Sequence, residues 1–284
     1  MFRRSYADEP GLLEKVYDLF DTVWPHLRPT AEACRPLGLR WDRCSTPFVR
    51  LEDGAVVSHV GVLEIPLVLE GRPVTVAGVH AVATRADRRR RGLYASIMPE
   101  VMEWCDERYG TLVLGTDQPW LYEPYGFRVV QEHRFTGERR GGAGAGLRPL
   151  DRAGPADAAT IGRLLDTRAP VSRRLGVRPE RDVFLFDTGT MALPYAEALD
   201  AIVVYSVKDG VLRLLDVVAP RMPSLDEVCA SIPEPYERVA LYFAPDGLGA
   251  GDLEAEPYRL DDFLMVRGPW PVDGPFMLPP TARC

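Results

Sequence analysis

The sequence of 284 residues contains few cysteines and no long apolar run. Its cysteines are scattered, at Cys34, Cys44, Cys105, Cys229 and Cys284. Their odd number and unpaired spacing favour reduced thiols in a cytoplasmic protein, with neither a disulfide framework nor a zinc site. No apolar stretch approaches the roughly 20 residues that span a membrane. The N-terminal residues also lack the apolar run of a signal peptide, so we expect no metal and no membrane partner.

The sequence also lacks an excess of basic residues. Its formal net charge is −7, and 46% of its residues are hydrophobic. Because phosphate repels an acidic protein at long range, a nucleic-acid partner is disfavoured, and a cationic ligand is mildly favoured. The length and apolar content suffice for one large domain or two ordinary ones. A homo-oligomer is left open.

The first half of the chain alternates helical and strand patterns. Apolar spacing predicts a helix over residues 10–27, and apolar runs between two turns predict an antiparallel meander of about three strands over 47–84. A charged loop follows, and then an amphipathic helix over about 92–108. Residues 111–114 read as a short buried strand and 127–135 as another.

A glycine-alanine run at 141–146 is the one low-complexity segment. No strand leads directly into it and no helix follows, so a linker is favoured over a phosphate-binding loop. We therefore predict a domain of residues 1–140, a linker of 141–146 and a second domain of 147–284. The second half repeats the order of the first, with helices at 156–165 and 224–232. Its strands are predicted at 201–205, 211–218, 239–243 and 263–266.

The strongest chemical signal is the segment from Val79 to Tyr94, where a strand ends, a basic loop crosses and a helix begins. The first turn of a helix offers unpaired N–H groups and the positive end of its dipole, which together suit a pyrophosphate. Gly92 would let the backbone approach the phosphates closely, and the arginines add charge. The alternative is a solvated or nucleic-acid-binding basic run over Arg88 to Arg91. The strand and helix on either side favour the phosphate site.

This segment resembles the acetyl-CoA signature of the GNAT acetyltransferase superfamily, Arg/Gln-x-x-Gly-x-Gly/Ala. It reads here Arg89-Arg90-Arg91-Gly92-Leu93-Tyr94, with Tyr94 in place of glycine or alanine. The resemblance implies an α+β fold and acetyl-CoA as co-substrate. The binding residues it implies, together with those that would offer backbone groups to pantetheine as an added strand does, are Val82, Ala83, Thr84, Arg89, Arg90, Arg91, Gly92, Leu93, Tyr94, Ala95, Asp117 and Gln118.

A second matching element, Tyr122-Glu-Pro-Tyr125-Gly-Phe127, follows at the distance that the family shows. By resemblance, Tyr122 is the general acid that protonates the departing CoA thiolate, as a phenol can. The alternative is a tyrosine that only packs in a turn.

The tandem layout is similar to that of the Eis-type acetyltransferases. It implies two GNAT-like domains, each a mixed, mostly antiparallel sheet with helices on both faces, of which the first is catalytic and the second degenerate. Eis proteins carry a further sterol-carrier-like domain, for which 284 residues leave no room. Their multi-amine pocket and their chain-terminal base are therefore not carried over to this sequence, and a role of the Cys284 carboxylate is left open.

The acceptor amine must lose a proton before or during attack. His80 is the first candidate base, because its ordinary pKa suits the task, although a hydrogen-bonded core histidine is an equal alternative. Glu64 and Asp117 are further candidates. The predicted function is transfer of an acetyl group to a small-molecule or peptide amine by direct attack. Alternatives are another acyl-CoA donor and a CoA-binding regulatory module with little turnover.

Overall fold

The computed structural model describes residues 1–283, so Cys284 and its carboxylate lie outside the described residues. The helices are α1 (Leu12–Asp21), α2 (Leu27–Cys34), α3 (Trp41–Cys44), α4 (Leu93–Asp106), α5 (Pro155–Thr167), α6 (Asp182–Asp187) and α7 (Leu225–Ser231). The strands are β1 (Ser45–Glu52), β2 (Ala55–Leu69), β3 (Arg72–Thr84), β4 (Leu112–Thr116), β5 (Arg128–Val129), β6 (Glu132–Gly141), β7 (Leu147–Pro149), β8 (Leu175–Val177), β9 (Pro194–Ala196), β10 (Ala201–Lys208), β11 (Val211–Val218), β12 (Tyr236–Leu241), β13 (Glu254–Tyr258) and β14 (Phe263–Arg267).

The first sheet has the strand order β1-β2-β3-β4-β14-β5, with β8 paired to the far end of β2. Its first three strands form the predicted antiparallel meander. Both reversals use two residues of positive φ, Asp53-Gly54 and Glu70-Gly71, as tight hairpins with a right-handed twist require.

Strands β3 and β4 diverge soon after they meet. They are parallel, and their pairing consists of Ala77 with Leu112 and Gly78 with Val113. The rest of β3, up to Thr84, leaves its edge toward β4 without a strand partner. This opening in the sheet faces the start of α4 and positions the site described below.

Helices cover both faces of this sheet. Side chains alternate between faces along a strand, and on β1 Phe48 packs in the α4 cluster while Val49 packs in the α1 cluster. Helix α4 contributes Ile97 and Val101 to its own face. Apolar residues therefore occur on both faces of the strands, because one face packs on α1 and the other packs on α4.

The second sheet has the order β13-β6-β12-β11-β10-β9-β7 and one parallel pair, β11 with β12. Helix α7 packs on one face, and α5 packs with the opposite side of β10. The predicted α+β class with two mixed, mostly antiparallel sheets is therefore confirmed. Helix α7 begins with a capping box, in which Ser224 and Glu227 bond reciprocally.

Three element predictions need correction. The helix expected over 10–27 ends at Asp21, and a separate helix begins at Leu27. The strand expected over 127–135 is two strands, and β5 joins the first sheet while β6 joins the second. Strand β14 was expected to belong to the second domain, but it pairs with β4 and β5 in the first sheet.

Neither sheet is therefore built from one side of the 141–146 segment alone. That segment leaves β6 and lies against the end of α7, where Ala143 N–H donates to Pro233 O and Gly144 N–H donates to Ile232 O. The division into 1–140 and 147–284 stays a prediction.

Candidate active site

The opening between β3 and β4 is a cleft of about 790 Å³. Its lining combines the diverging part of β3, the basic loop, the first turn of α4 and the segment after β4. Eleven of the twelve predicted binding residues and both predicted catalytic residues lie in this lining, namely Val82, Ala83, Thr84, Arg89, Arg90, Gly92, Leu93, Tyr94, Ala95, Asp117 and Gln118 with His80 and Tyr122. The structure therefore brings the segment of residues 79–95 together with the separate segment of residues 115–122.

The first turn of α4 opens into this cleft without a side-chain cap. Gly92 precedes the helix with φ 72°, a left-handed conformation that glycine adopts without strain. The first intrahelical bond to its carbonyl comes from Ser96 N–H. The N–H groups of Leu93, Tyr94 and Ala95 therefore have no partner within the helix, and together with the helix dipole they can hold an anion.

The arginines of the loop divide into three kinds. Arg88 reaches Glu52 at 3.3 Å, and Arg89 Nε–H donates to Thr84 O at 3.2 Å, which ties the loop to the end of β3. Arg90 lines the cleft with φ 62°. Arg91 is exposed and is the one predicted binding residue that lies outside the cleft lining.

Tyr94, the departure from the family pattern, packs against two other tyrosines. Its ring contacts those of Tyr122 and Tyr125 edge-on, at centroid distances of 5.9 and 6.0 Å. Its hydroxyl donates to Leu121 O at 3.1 Å. Burial raises the pKa of Tyr94 well above its usual range, so this phenol stays protonated. Tyr94 thus supports the wall that contains Tyr122, which is buried at 6% exposure and lines the cleft.

His80 lies at the deep end of the cleft, next to a bulge in β3. Its Nε2 is 2.8 Å from Ser45 Oγ, and its ring packs on Trp41 at 5.1 Å between centroids. Burial, with a smaller effect of His59, lowers the pKa of His80 to about 3. The imidazole is therefore neutral at pH 7, and its Nε2 is engaged with the Ser45 hydroxyl.

The bulge itself is held by a second buried histidine. Ala81 has φ 48°, unusual for a residue with a side chain, and the β2–β3 register shifts opposite it. Its carbonyl oxygen accepts a hydrogen bond from His59 Nδ1 at 2.8 Å. Burial lowers the pKa of His59 to about 4, so neutral imidazole serves as the donor.

The other two base candidates lie in different surroundings. Glu64 is exposed, accepts a hydrogen bond from Tyr109 at 2.8 Å and does not line the cleft. Asp117 lines the cleft but is exposed. Of the candidates, only His80 is both buried and part of the cleft.

A second cavity of about 290 Å³ adjoins the cleft, and the two share Trp24, His80 and Ala81. Its remaining lining comes from segments far apart in the chain, namely His26, Leu27, Leu39, Trp41, Cys44, Leu63, Asp182, Val183, Phe186, Asp187, Asp262 and Arg283. Sequence reasoning missed these residues, because no motif or local period connects them. The segment between α1 and α2, which the sequence analysis placed within one helix, contributes His26 to this lining.

Two further findings bear on the chemistry. Within residues 1–283, no group of three histidine, cysteine, aspartate or glutamate side chains could hold a metal ion. None of the helices described for the same residues combines the length and apolar character that crossing a bilayer requires.

Comparison with known proteins defines the class. Residues 8–130 match the family model of the acetyltransferase (GNAT) domain. A search of curated proteins found no match. Residues 8–130 therefore carry a GNAT acetyltransferase domain, and the predicted enzyme class is confirmed.

Solved structures extend the similarity to the whole chain. A probable N-acyltransferase of unknown function from Enterococcus faecalis V583 is 13% identical, with a TM-score of 0.57 and coverage of 95% of this chain and 72% of the other. Eis1 from Mycobacterium abscessus is 16% identical, with a TM-score of 0.55 and coverage of 94% and 72%. A GCN5-related N-acetyltransferase from Kribbella flavida is 18% identical, with a TM-score of 0.51 and coverage of 89% and 68%. The chain thus shares the fold of these proteins over most of its length.

Proposed function

We propose that this protein transfers the acetyl group of acetyl-CoA to a primary amine. The main support is that the uncapped first turn of α4 opens into the cleft beside Tyr122. The cleft therefore contains both an anion-binding site and a proton donor. In the proposed complex the pyrophosphate lies on the N–H groups of Leu93 to Ala95, with Arg89 and Arg90 alongside. The pantetheine arm follows the free edge of β3 from Thr84 to Val82.

The acceptor approaches from the adjoining cavity, because the shared residues Trp24, His80 and Ala81 stand where the thioester would end. The neutral amine nitrogen attacks the thioester carbon, and the charge that develops on the carbonyl oxygen meets a backbone N–H near Val82. When the tetrahedral intermediate collapses, the C–S bond breaks and the Tyr122 hydroxyl gives its proton to the sulfur.

The acceptor nitrogen must lose one proton in the same reaction. His80 as a general base remains a prediction, since a pKa of about 3 makes it a weak proton acceptor. In the neutral tautomer that carries its proton on Nε2 and donates it to Ser45, His80 accepts a hydrogen bond at Nδ1 and orients the amine. The proton from the nitrogen passes to water, and a proton from water restores the Tyr122 hydroxyl.

Direct attack is favoured over an acyl-enzyme route. Cys44 is the cysteine in the acceptor cavity, and burial raises the pKa of its thiol well above the usual range. A protonated thiol is a poor nucleophile, so no covalent step is needed or proposed.

The test compares CoA release by the wild type and by Tyr122→Phe, with a panel of primary amines and with acetyl-CoA affinity measured separately. Loss of a positioned acid lowers kcat by about 10²–10⁴-fold, and we expect acetyl-CoA affinity to change little. Tyr125→Phe is the matched control, because Tyr125 packs on Tyr94 but does not line the cleft.

Equal kcat for Tyr122→Phe and the wild type would remove the acid assignment. Binding of acetyl-CoA without CoA release for any amine would instead favour a regulatory module. Faster release from a longer acyl-CoA would identify a different donor.

A further inference from the structure

The cavity that adjoins the cleft is small, and aromatic rings form part of its lining. Its volume of about 290 Å³ is at the lower end of the range of ligand pockets, roughly 300–1,000 Å³. Trp41 stands between His80 and Phe186, with centroid distances of 5.1 and 5.6 Å. The middle of the cavity therefore favours an apolar segment of a ligand, with a length close to the width of the Trp41 indole.

The end beyond Phe186 is acidic. Asp182 and Asp187 begin and end α6, and Asp262 joins them in the lining. Among the described residues that line this end, Arg283 supplies the one guanidinium, and it is already bound to Glu132 at 2.5 Å and to Asp262 at 3.2 Å. The carboxylates thus outnumber the available positive charge.

Among the described residues, no arginine or lysine side chain forms an ion pair with Asp187. Its Oδ2 accepts the backbone N–H of Arg283 at 2.9 Å. Burial raises the pKa of Asp187 well above its usual range. A carboxyl group in this state is stabilised in its charged form when a cation arrives beside it.

We propose that the acceptor is a compact diamine, in which an apolar spacer of about five carbons separates the reacting amine from a second ammonium group. This inference rests on the proposed function. The reacting amine lies at His80, the spacer crosses Trp41, and the second ammonium binds Asp187 and Asp182. Asp182 has one oxygen committed to the backbone N–H of Arg40 at 2.9 Å, so its other oxygen can accept from the ligand. The aromatic faces along the path also favour a cation.

The decisive experiment measures kcat/KM for 1,5-diaminopentane and hexan-1-amine, which have the same number of heavy atoms and differ by one charged group. We expect about a tenfold preference for the diamine, the size of one charge-assisted hydrogen bond. In Asp187→Asn that ratio should fall close to one, because the neutral amide no longer favours the ammonium. Asp166→Asn is the control, since Asp166 pairs with Arg181 outside the cavity, and it should keep the ratio.

Asp182→Asn provides a second reading if Asp187→Asn fails to fold, and it should reduce the ratio in the same direction. Equal kcat/KM for the two amines in the wild type would overturn the diamine proposal while leaving acetyl transfer intact. Faster turnover of a three-ring aminoglycoside would overturn it too, because such a molecule exceeds the cavity. Absence of CoA release with every amine would be a failure of the proposed function instead.

Discussion

The two sheets contain the same strand-to-helix junction in opposite states. In the first, β3 separates from β4 after Gly78, and the loop leads to a helix whose first turn has no side-chain cap. In the second, the pairing of β11 with β12 ends at Leu214, and the loop leads to α7, whose start is closed by its own capping box. The first junction opens into the cleft where we propose that acetyl-CoA binds, and the polar groups of the second are satisfied by the chain itself.

The second opening is also occupied by the chain. Thr281, in a 3-10 turn at Pro280–Ala282, donates to Asp216 Oδ2 at 2.5 Å. Asp216 lies on β11 and forms a fully buried ion pair with Arg168 at 2.9 Å. Pro220 and Pro223 in the following loop supply no N–H donors. The comparison shows that one strand-to-helix arrangement can form either an open cleft or a closed packing contact. Which one forms depends on whether the chain itself supplies hydrogen-bond partners to the polar groups at the junction.

The largest effect is expected where the second junction is broken. Asp216→Asn removes the charge opposite Arg168 and weakens the bond from Thr281. Leaving a buried guanidinium unpaired should lower the free energy of unfolding by about 3–5 kcal/mol, measured by urea denaturation. Glu138→Gln is the control, because its pair with Arg238 is exposed and is worth at most about 1 kcal/mol. A similar loss in both variants would contradict a special role for the buried pair.

The next effect tests the first junction by making it resemble the second. Ala95 occupies in α4 the position that Glu227 occupies in α7, the third residue after the cap. Ala95→Glu places a negative charge where the pyrophosphate would lie, and should weaken acetyl-CoA binding by about 30–100-fold, or about 2–3 kcal/mol. Isothermal titration calorimetry measures this change.

Two companions sharpen that measurement. Ala95→Gln has the same size without the charge and should lose much less affinity. Ser224→Ala opens the start of α7 at a cost of about 1 kcal/mol in stability and should leave acetyl-CoA affinity unchanged. Equal weakening by Ala95→Glu and Ala95→Gln would place the phosphates elsewhere.

The smallest effect concerns the bulge that shapes the first opening. The left-handed conformation of Ala81 costs about 1–3 kcal/mol, which the hydrogen bond from His59 partly offsets. His59→Leu should therefore lower kcat/KM for acetyl-CoA by about tenfold, and His59→Asn, which keeps an N–H near the position of Nδ1, should recover part of the loss. Full activity of His59→Leu would show that packing alone holds the bulge.

The same histidine predicts a pH dependence of stability. In the unfolded chain His59 binds a proton below about pH 6.5, whereas in the folded protein its pKa is lowered to about 4. Since the unfolded state binds more protons in this window, stability should fall as pH drops from 6.5 to 4, and His80 acts in the same direction. The fall should be smaller in His59→Asn, as followed by thermal unfolding at each pH.

Much of the first sheet could be predicted from its pattern. The meander to Thr84 and the helix from Leu93 are consecutive elements, so apolar periodicity and turn residues suffice to place them. The capping box at Ser224 was equally local. The exchange of β6 and β14 between the sheets could not be predicted, because strand order depends on pairing between residues more than a hundred positions apart. The predicted strand divides at Val130 and Gln131, and neither residue is of a type that is typical of turns.

The sequence by itself determined the layout of the proposed donor site. Val82 to Ala95 form one continuous strand, loop and helix, and the direction of the free N–H groups follows from that local geometry. Only the tertiary structure decided the cavity that we propose for the acceptor. Trp41, Asp187 and Arg283 meet in one cavity because α6 and the final residues of the described chain pack together against the first sheet. Their contact depends on packing between distant segments, which no local pattern of residues encodes.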